Sequence, residues 1–373
     1  MINKSLKVII IGLFLIGLFN CEQQKTSQRN PLKGLSDTAN DYDKPQINHP
    51  IIFPDAHDPK KSYRQEWWYI TANLITEDGQ SLATQWTLFR RAVEDKHWYF
   101  AHSALANNDQ HFSAFRSGRE ELANVIINRL PFSATIDDWQ WQSTETLFPA
   151  VLNYGSTVIE QKSSQTHNSE TNNLESNNPW RVKLHLDSKS NFFLQGEQGY
   201  SKKHWSLDIA SYYYSQPFIN VHGEVYWQGR WQKVNGKAWF DREWGSQMLA
   251  ADQQGWDWFS LRLDQDTALM VYRIRSNIED YVYGSLMSYQ GNIETLSPQD
   301  IKVSSIHNSS AINNTYYPQA FNLVIEKKNI ALTVSVVNPK QIMRFGIEYF
   351  EGMVTFSGSH QGQGFLEMTG YHK

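Results

Sequence analysis

The stretch Trp239–Leu263, WFDREWGSQMLAADQQGWDWFSLRL, limits what this chain can become. Trp239, Trp244, Trp256 and Trp258 stand there among Asp241, Glu243, Asp252 and Asp257. Trp239 to Gly245 reads as the end of one strand. Gly255 to Leu261 opens the next, across a polar link at 246–254. A solvated hairpin has no use for so much aromatic surface. A plain core strand would not carry Asp241, Arg242 and Glu243 in a row, because unpaired buried charge is costly. The stretch therefore reads as the seam between two β domains. Alternation puts Trp239, Asp241 and Glu243 on one face and Phe240, Arg242 and Trp244 on the other. Neither face is purely apolar, so the charges must meet partners across the seam or line a cavity. Asp257, projecting opposite to Trp256 and Trp258, is a candidate partner for Arg242.

At 373 residues the chain has room for two domains. Its net charge of −4 is spread along the sequence without a basic run, which argues against a nucleic-acid partner. Lys4 and Lys7 precede an apolar run, Val8 to Phe19, that is too short to span a bilayer and fits a secretory leader over residues 1–20. Leu18-Phe19-Asn20-Cys21 is similar to a bacterial lipobox, with Asn20 where a small residue usually stands. Cys21, the single cysteine, is then the lipidated N-terminus and the only membrane attachment. The alternative is an ordinary cleaved leader with an incidental Cys. Residues 21–50 read as a polar tether, with folded sequence from Ile51. A first domain is expected over 51–245 and a second over 246–373.

Short aromatic and β-branched segments separated by turns fill the rest. Glu66–Leu74, Leu82–Arg90 and Trp98–Leu105 are the first three, and Leu122–Leu130 is either a strand or a short helix. Residues 161–179, almost without apolar content, read as a long mobile loop within the first domain. Few segments have the period of a long amphipathic helix. The expected fold is all-β, as antiparallel barrels or sandwiches. His222–Gly229, a turn and Gly236–Trp239 recur in outline as Phe350–Gly358, a turn and Gly362–Phe365, with Asp241 and Glu367 in matching places. A duplicated barrel would leave this trace.

Glu66-Trp67-Trp68-Tyr69, Gln85–Arg90, Trp239–Gly245, Gly255–Ser260, Tyr349-Phe350-Glu351-Gly352 and Thr369-Gly370-Tyr371 follow the pattern of the AttH / carotenoid 1,2-hydratase (CrtC) family. The resemblance covers about residues 60–373. It implies two lipocalin-like antiparallel β-barrel domains in tandem. It also points to two kinds of activity, because some relatives are encoded beside ABC-transporter components and others hydrate a terminal double bond of acyclic carotenoids.

No HExxH, Cys pair or His-x-His supports a metal site, and no GxSxG elbow or Walker A loop is present, so neither metal nor cofactor is expected. A hydratase must protonate an alkene carbon and deliver water to the resulting cation. A carboxyl in an apolar pocket has the raised pKa this needs, and aromatic faces stabilise the cation. Asp241, Glu243 and Asp257 among Trp239, Trp244, Trp256 and Trp258 are the candidates. The competing reading is structural: Arg242 pairs with neighbouring acids, Glu66 meets Arg90 or Arg91, and Trp68 packs on Arg90 as lipocalin-type barrels close one end. Tyr69 belongs to the same seam. His102 reads as a hydrogen-bonded wall residue. Two functions stay open. One is an envelope lipoprotein, facing the periplasm, whose barrel holds an apolar small molecule for an ABC transporter permease. The other is a hydratase or lyase acting on an isoprenoid- or carotenoid-like alkene.

Overall fold

The computed structural model describes residues 33–37, 41–156, 179–306, 310–312 and 315–371. The leader, Cys21 and the loop 161–178 lie outside the described residues. Two large antiparallel sheets, each curled into a nearly closed lipocalin-like barrel, carry most of the described residues, beside a two-stranded sheet of Ser310–Ile312 and Thr315–Tyr317. The first runs His111–Arg119, Lys96–Ala106, Ser81–Val93, Gln65–Thr76, Arg230–Gly245, Ala210–Trp227, Trp180–Asp187, Ala150–Ser156, Trp139–Ser143, Ser133–Ile136 and Val125–Asn128. The second runs Ile293–Leu296, Tyr281–Ser288, Thr267–Ser276, Gln253–Arg262, Gly362–Thr369, Ile347–Gly358, Ile330–Val336, Ala320–Ile325 and Ile301–Ile306. The segment read as strand or helix splits into a 3-10 turn at Glu120–Leu122 and a strand at Val125–Asn128.

The internal repeat is the closing device of each barrel. Arg230–Gly245 returns to pair with Gln65–Thr76, and Gly362–Thr369 returns to pair with Gln253–Arg262. Close approach at these closures needs glycine. A Cβ on Gly236 would lie 2.0 Å from Asn73 O, and one on Gly364 would lie 2.1 Å from Ser260 O.

Both barrels are filled. Trp68, Trp86, Trp139, Trp141, Tyr154 and Phe240 are among the side chains packing the first interior, and Phe259, Phe321, Phe350 and Met368 are among those packing the second. An apolar ligand was expected in a barrel; these side chains occupy the barrel interiors. A third cluster, including Tyr69, Tyr213, Trp239, Trp258, Met270 and Tyr272, joins the two outer walls. The strand Gln65–Thr76 is thus buried on both faces, whereas Trp180–Asp187 alternates between buried and exposed.

The linker differs from its sequence reading. Within the link read as polar, Met248, Leu249 and Ala250 are buried. The Met248 and Leu249 amides donate to Leu35 O, on the short helix Lys33–Ser36. Part of the stretch read as tether is likewise packed: Gln46 N donates to Tyr212 Oη at 2.8 Å.

Charges at the barrel ends are locked in threes. Glu66 lies between Arg90 and Arg242, all three with fully buried side chains, and the Arg242 guanidinium sits 3.9 Å from the Trp68 ring centroid. Burial pushes Glu66 up, but the two guanidiniums more than offset it and hold the carboxyl below its ordinary range. In the second barrel Asp257 lies between Arg273, at 2.6 Å, and Arg275, at 3.5 Å. Asp257 also accepts from Tyr371 Oη at 2.9 Å. Two expected pairings are thereby corrected. Arg242 takes Glu66 rather than Asp257, because alternation turns the two residues into different barrels. Trp68 packs on Arg242 rather than Arg90, because Trp68 and Arg242 are opposite in register.

Candidate functional site

A cleft of about 440 Å³ lies between the two barrels. Its walls are the outward faces of the closing strands. From the first barrel come Gln65, Trp67, Tyr69, Asp241 and Glu243; from the second come Trp256, Trp258, Glu351 and Glu367. Register explains why these side chains meet. Tyr69 is opposite Asp241, Trp67 opposite Glu243, Trp258 opposite Glu367, and Glu351 opposite Glu367. Directly opposed side chains on one face have Cβ atoms ~5 Å apart, so three carboxyls share one corner of an aromatic cleft.

Their partners differ. Asp241, 3% exposed, accepts from Ser215 Oγ at 2.5 Å and from Trp239 Nε1 at 3.0 Å. Burial pushes it up to about 7, against the pull of these donors. Glu367 is pushed up to about 8 by burial, against a hydrogen bond from Trp256. Glu351 accepts from Tyr69 Oη at 2.5 Å on one oxygen, while its Oε2 is buried without a hydrogen-bond partner. Burial first, and then the neighbouring Glu367, push Glu351 well above the carboxylate range. None of the groups acting on Glu351 is a cation. At neutral pH this corner holds protons on carboxyl oxygens.

Glu243 stands two residues along the same strand face and is neutralised differently. Lys203 Nζ lies 2.6 Å from it, with the Tyr272 ring centroid 4.6 Å from the ammonium. His102 Nδ1 meets Tyr349 Oη at 2.8 Å on the far wall, and burial drives the imidazole down to about 3, so it is neutral.

Of the residues singled out from sequence, Tyr69, His102, Asp241, Glu243, Trp256 and Trp258 line the cleft. Glu66 and Arg90 border it with their side chains paired to each other. Trp239 backs it, hydrogen-bonded to Asp241 and edge-on to Trp258. Trp68, Arg242 and Trp244 belong to the first interior. Asp257 is corrected as a catalytic candidate: its carboxylate has no exposed surface and is held by Arg273 and Arg275 on the interior side of its strand. Glu351, Gln65 and Lys203 were missed. The repeat that matched Glu367 with Asp241 was the available signal for a second acid, and strand alternation from Glu367 leads across to Glu351.

Comparison with known proteins follows this geometry. A family model described as AttH-like matches residues 44–371. The crystal structure of an AttH protein from Nitrosomonas europaea superposes with a TM-score of 0.76 at 27% identity, covering 89% of this chain and 100% of that one. Kievitone hydratase from Nectria haematococca shares the fold with a TM-score of 0.64 at 14% identity, covering 91% of this chain and 97% of that one. CghA, solved with Sch210972, does so with a TM-score of 0.52 at 12% identity, covering 91% and 98%. No curated protein matches the chain. With the match running through both barrels and the cleft between them, the chain belongs to the AttH-like family.

Proposed function

We propose that the inter-barrel cleft binds an elongated, largely apolar, unsaturated molecule of isoprenoid or carotenoid type and adds water across its double bond. One observation carries this reading: Asp241, Glu351 and Glu367 are gathered among aromatic rings, and no cation acts on Glu351. Glu351, whose Oε2 is unpartnered, gives its proton to one alkene carbon. The Trp67 and Trp258 faces stabilise the cation that forms on the other. Water attacks that carbon, its oxygen forming the new C–O bond. Asp241, pushed up to about 7, takes the proton water loses, and the corner returns it to Glu351. The fold shared with a kievitone hydratase supports the assignment.

The test is conversion of farnesol and of lycopene in ¹⁸O-labelled water, followed by mass spectrometry. One labelled water should be added, and Glu351→Gln or Asp241→Asn should each cut turnover by about 10²-fold or more. Alkenes that bind and are returned unconverted would overturn hydration.

A second reading keeps the cleft as a carrier site. It is an envelope lipoprotein facing the periplasm and passing its ligand to an ABC transporter permease. The run Lys4, Lys7, Val8–Phe19 and Cys21 supports it. A single acyl chain holds membranes only marginally, so anchoring through Cys21 needs more than one. Cys21→Ala should move the protein to the soluble fraction; a variant still in the membrane fraction with unchanged lipid labelling would sink the anchor.

A further inference from the structure

The cleft has a second polar place, at the opposite end of the Gln65–Thr76 strand face from the acids. Gln65, Trp67 and Tyr69 project from that face in sequence, with Tyr69 at the carboxyl corner. Gln65 is 3% exposed and lines the cleft. Among the described residues, neither its Oε1 nor its Nε2 has a hydrogen-bond partner. A buried amide lacking both bonds costs a protein stability, and nothing in the barrel wall compensates it. Directly across the register lies Arg91, which also lines the cleft. Its guanidinium can donate five hydrogen bonds; among the described residues one is made, to Gly34 O at 2.9 Å. A buried amide that must both donate and accept therefore faces a multiple hydrogen-bond donor across the strand pair. The same lining includes Leu35, Trp67, Met248 and Leu249, beside the ion pairs Glu66–Arg90 and Glu243–Lys203.

Resting on the hydration reading, we propose that Gln65 and Arg91 form a head-group subsite for a hydroxyl, so that the ligand is an amphipathic alcohol or phenol with an unsaturated apolar tail rather than a pure hydrocarbon. A hydroxyl matches the orphan amide in both senses. It donates to Gln65 Oε1 and accepts from Arg91 or from Gln65 Nε2. A carbonyl or carboxylate would leave Oε1 unpaired. Position sets the length of the molecule as well. Tyr69 is four steps along the strand from Gln65, and each step rises ~3.3 Å, so the head lies ~13 Å along the strand from the carboxyl corner. The alkene that reaches Glu351 is therefore remote from the hydroxyl, and the two ends are read independently.

The experiment uses the full chain and three probes of matched tail: farnesol, farnesyl methyl ether and β-farnesene. Trp67, Trp256 and Trp258 line the cleft, so quenching of tryptophan fluorescence reports binding. Farnesol should bind about tenfold or more tightly than the ether or the hydrocarbon, the ordinary effect of leaving a buried polar group unpaired. Gln65→Leu should abolish the preference while keeping β-farnesene affinity, and Arg91→Met should reduce it, which covers the case in which one variant folds poorly. Equal binding of the three probes by the wild type overturns the subsite. So does a preference that survives Gln65→Leu, or tighter binding of farnesoic acid than of farnesol. Farnesol bound with preference and never hydrated refutes the hydration chemistry and leaves the subsite standing. Farnesol hydrated with no head preference does the reverse.

Discussion

Glu351 and Glu367 face each other across one strand pair with no cation acting on Glu351. In an ordinary sheet this would be a simple repulsion. Here burial keeps protons on the pair, and stability then depends on pH in a definite direction. An unfolded Glu ionises near pH 4.3, whereas folded Glu351 holds its proton well above that value and Glu367 up to about 8. From about pH 4 upward the unfolded chain binds fewer protons than the folded one, so stability falls as pH rises and the contribution is gone once pH passes the folded values. Glu351→Gln removes one titrating group and keeps an oxygen for Tyr69. Thermal melts at pH 5 and pH 9 should show the variant gaining at least about 1.3 °C on the wild type at pH 9, the effect of ~1 kcal/mol at this chain length. Parallel melting curves would mean that Glu351 is ionised throughout.

Each closing strand serves two masters, with one face inside its barrel and the other in the cleft. In Arg230–Gly245 this separates the charges chemically. Asp241 and Glu243 turn to the cleft, while Arg242 turns inward to Glu66 and the Trp68 ring. The inward lock belongs to stability. Arg242→Ala leaves Glu66 buried with Arg90 alone, and stranding part of such a network costs ~3–5 kcal/mol. A fall of about 4–6 °C in melting temperature is expected, with cleft binding of farnesol unchanged in the folded protein. A variant that melts with the wild type would show that the lock contributes nothing. In the second barrel Asp257 carries the corresponding duty with Arg273 and Arg275, which explains why an acid flanked by two tryptophans is not in the site.

The two barrels share one core between them. Tyr69 stacks edge-on with Trp258, Trp258 Nε1 donates to Tyr213 Oη at 3.1 Å, and Gln195 bonds Ser215 on its own barrel and Ser285 on the other. Separating them would expose this aromatic cluster to water, a surface of the kind that drives association. A fragment ending at residue 252 is therefore expected to self-associate and to lose farnesol binding. A monomeric fragment in size-exclusion chromatography, melting cooperatively, would contradict a shared core. Two pseudo-equivalent closing strands brought face to face also explain the composition of the site, since each barrel contributes the acid from the same place in its repeat, Asp241 from one and Glu367 from the other.

Local pattern was enough for the strands, the tandem repeat and the aromatic seam, because period-two alternation and turn residues act over a few positions. It singled out Asp241, Glu243 and Asp257 alike, because an acid between aromatic residues on a strand looks the same whichever way the strand face turns; Asp241 and Glu243 line the cleft and Asp257 does not. Pairing was another matter. Tyr69 and Glu351 are 282 positions apart, and nothing in either neighbourhood says that they share a hydrogen bond. The lock of Glu66 with Arg242, the retirement of Asp257 into its own barrel and the orphaned amide of Gln65 all follow from which face of a strand looks inward once the sheet has curled. The site's location is the clearest case. Residue pattern left antiparallel barrels or sandwiches open, and the family resemblance implied the two barrels. Only packing decided that large aromatic side chains would pack inside the barrels and that a cleft would lie where the two outer walls meet.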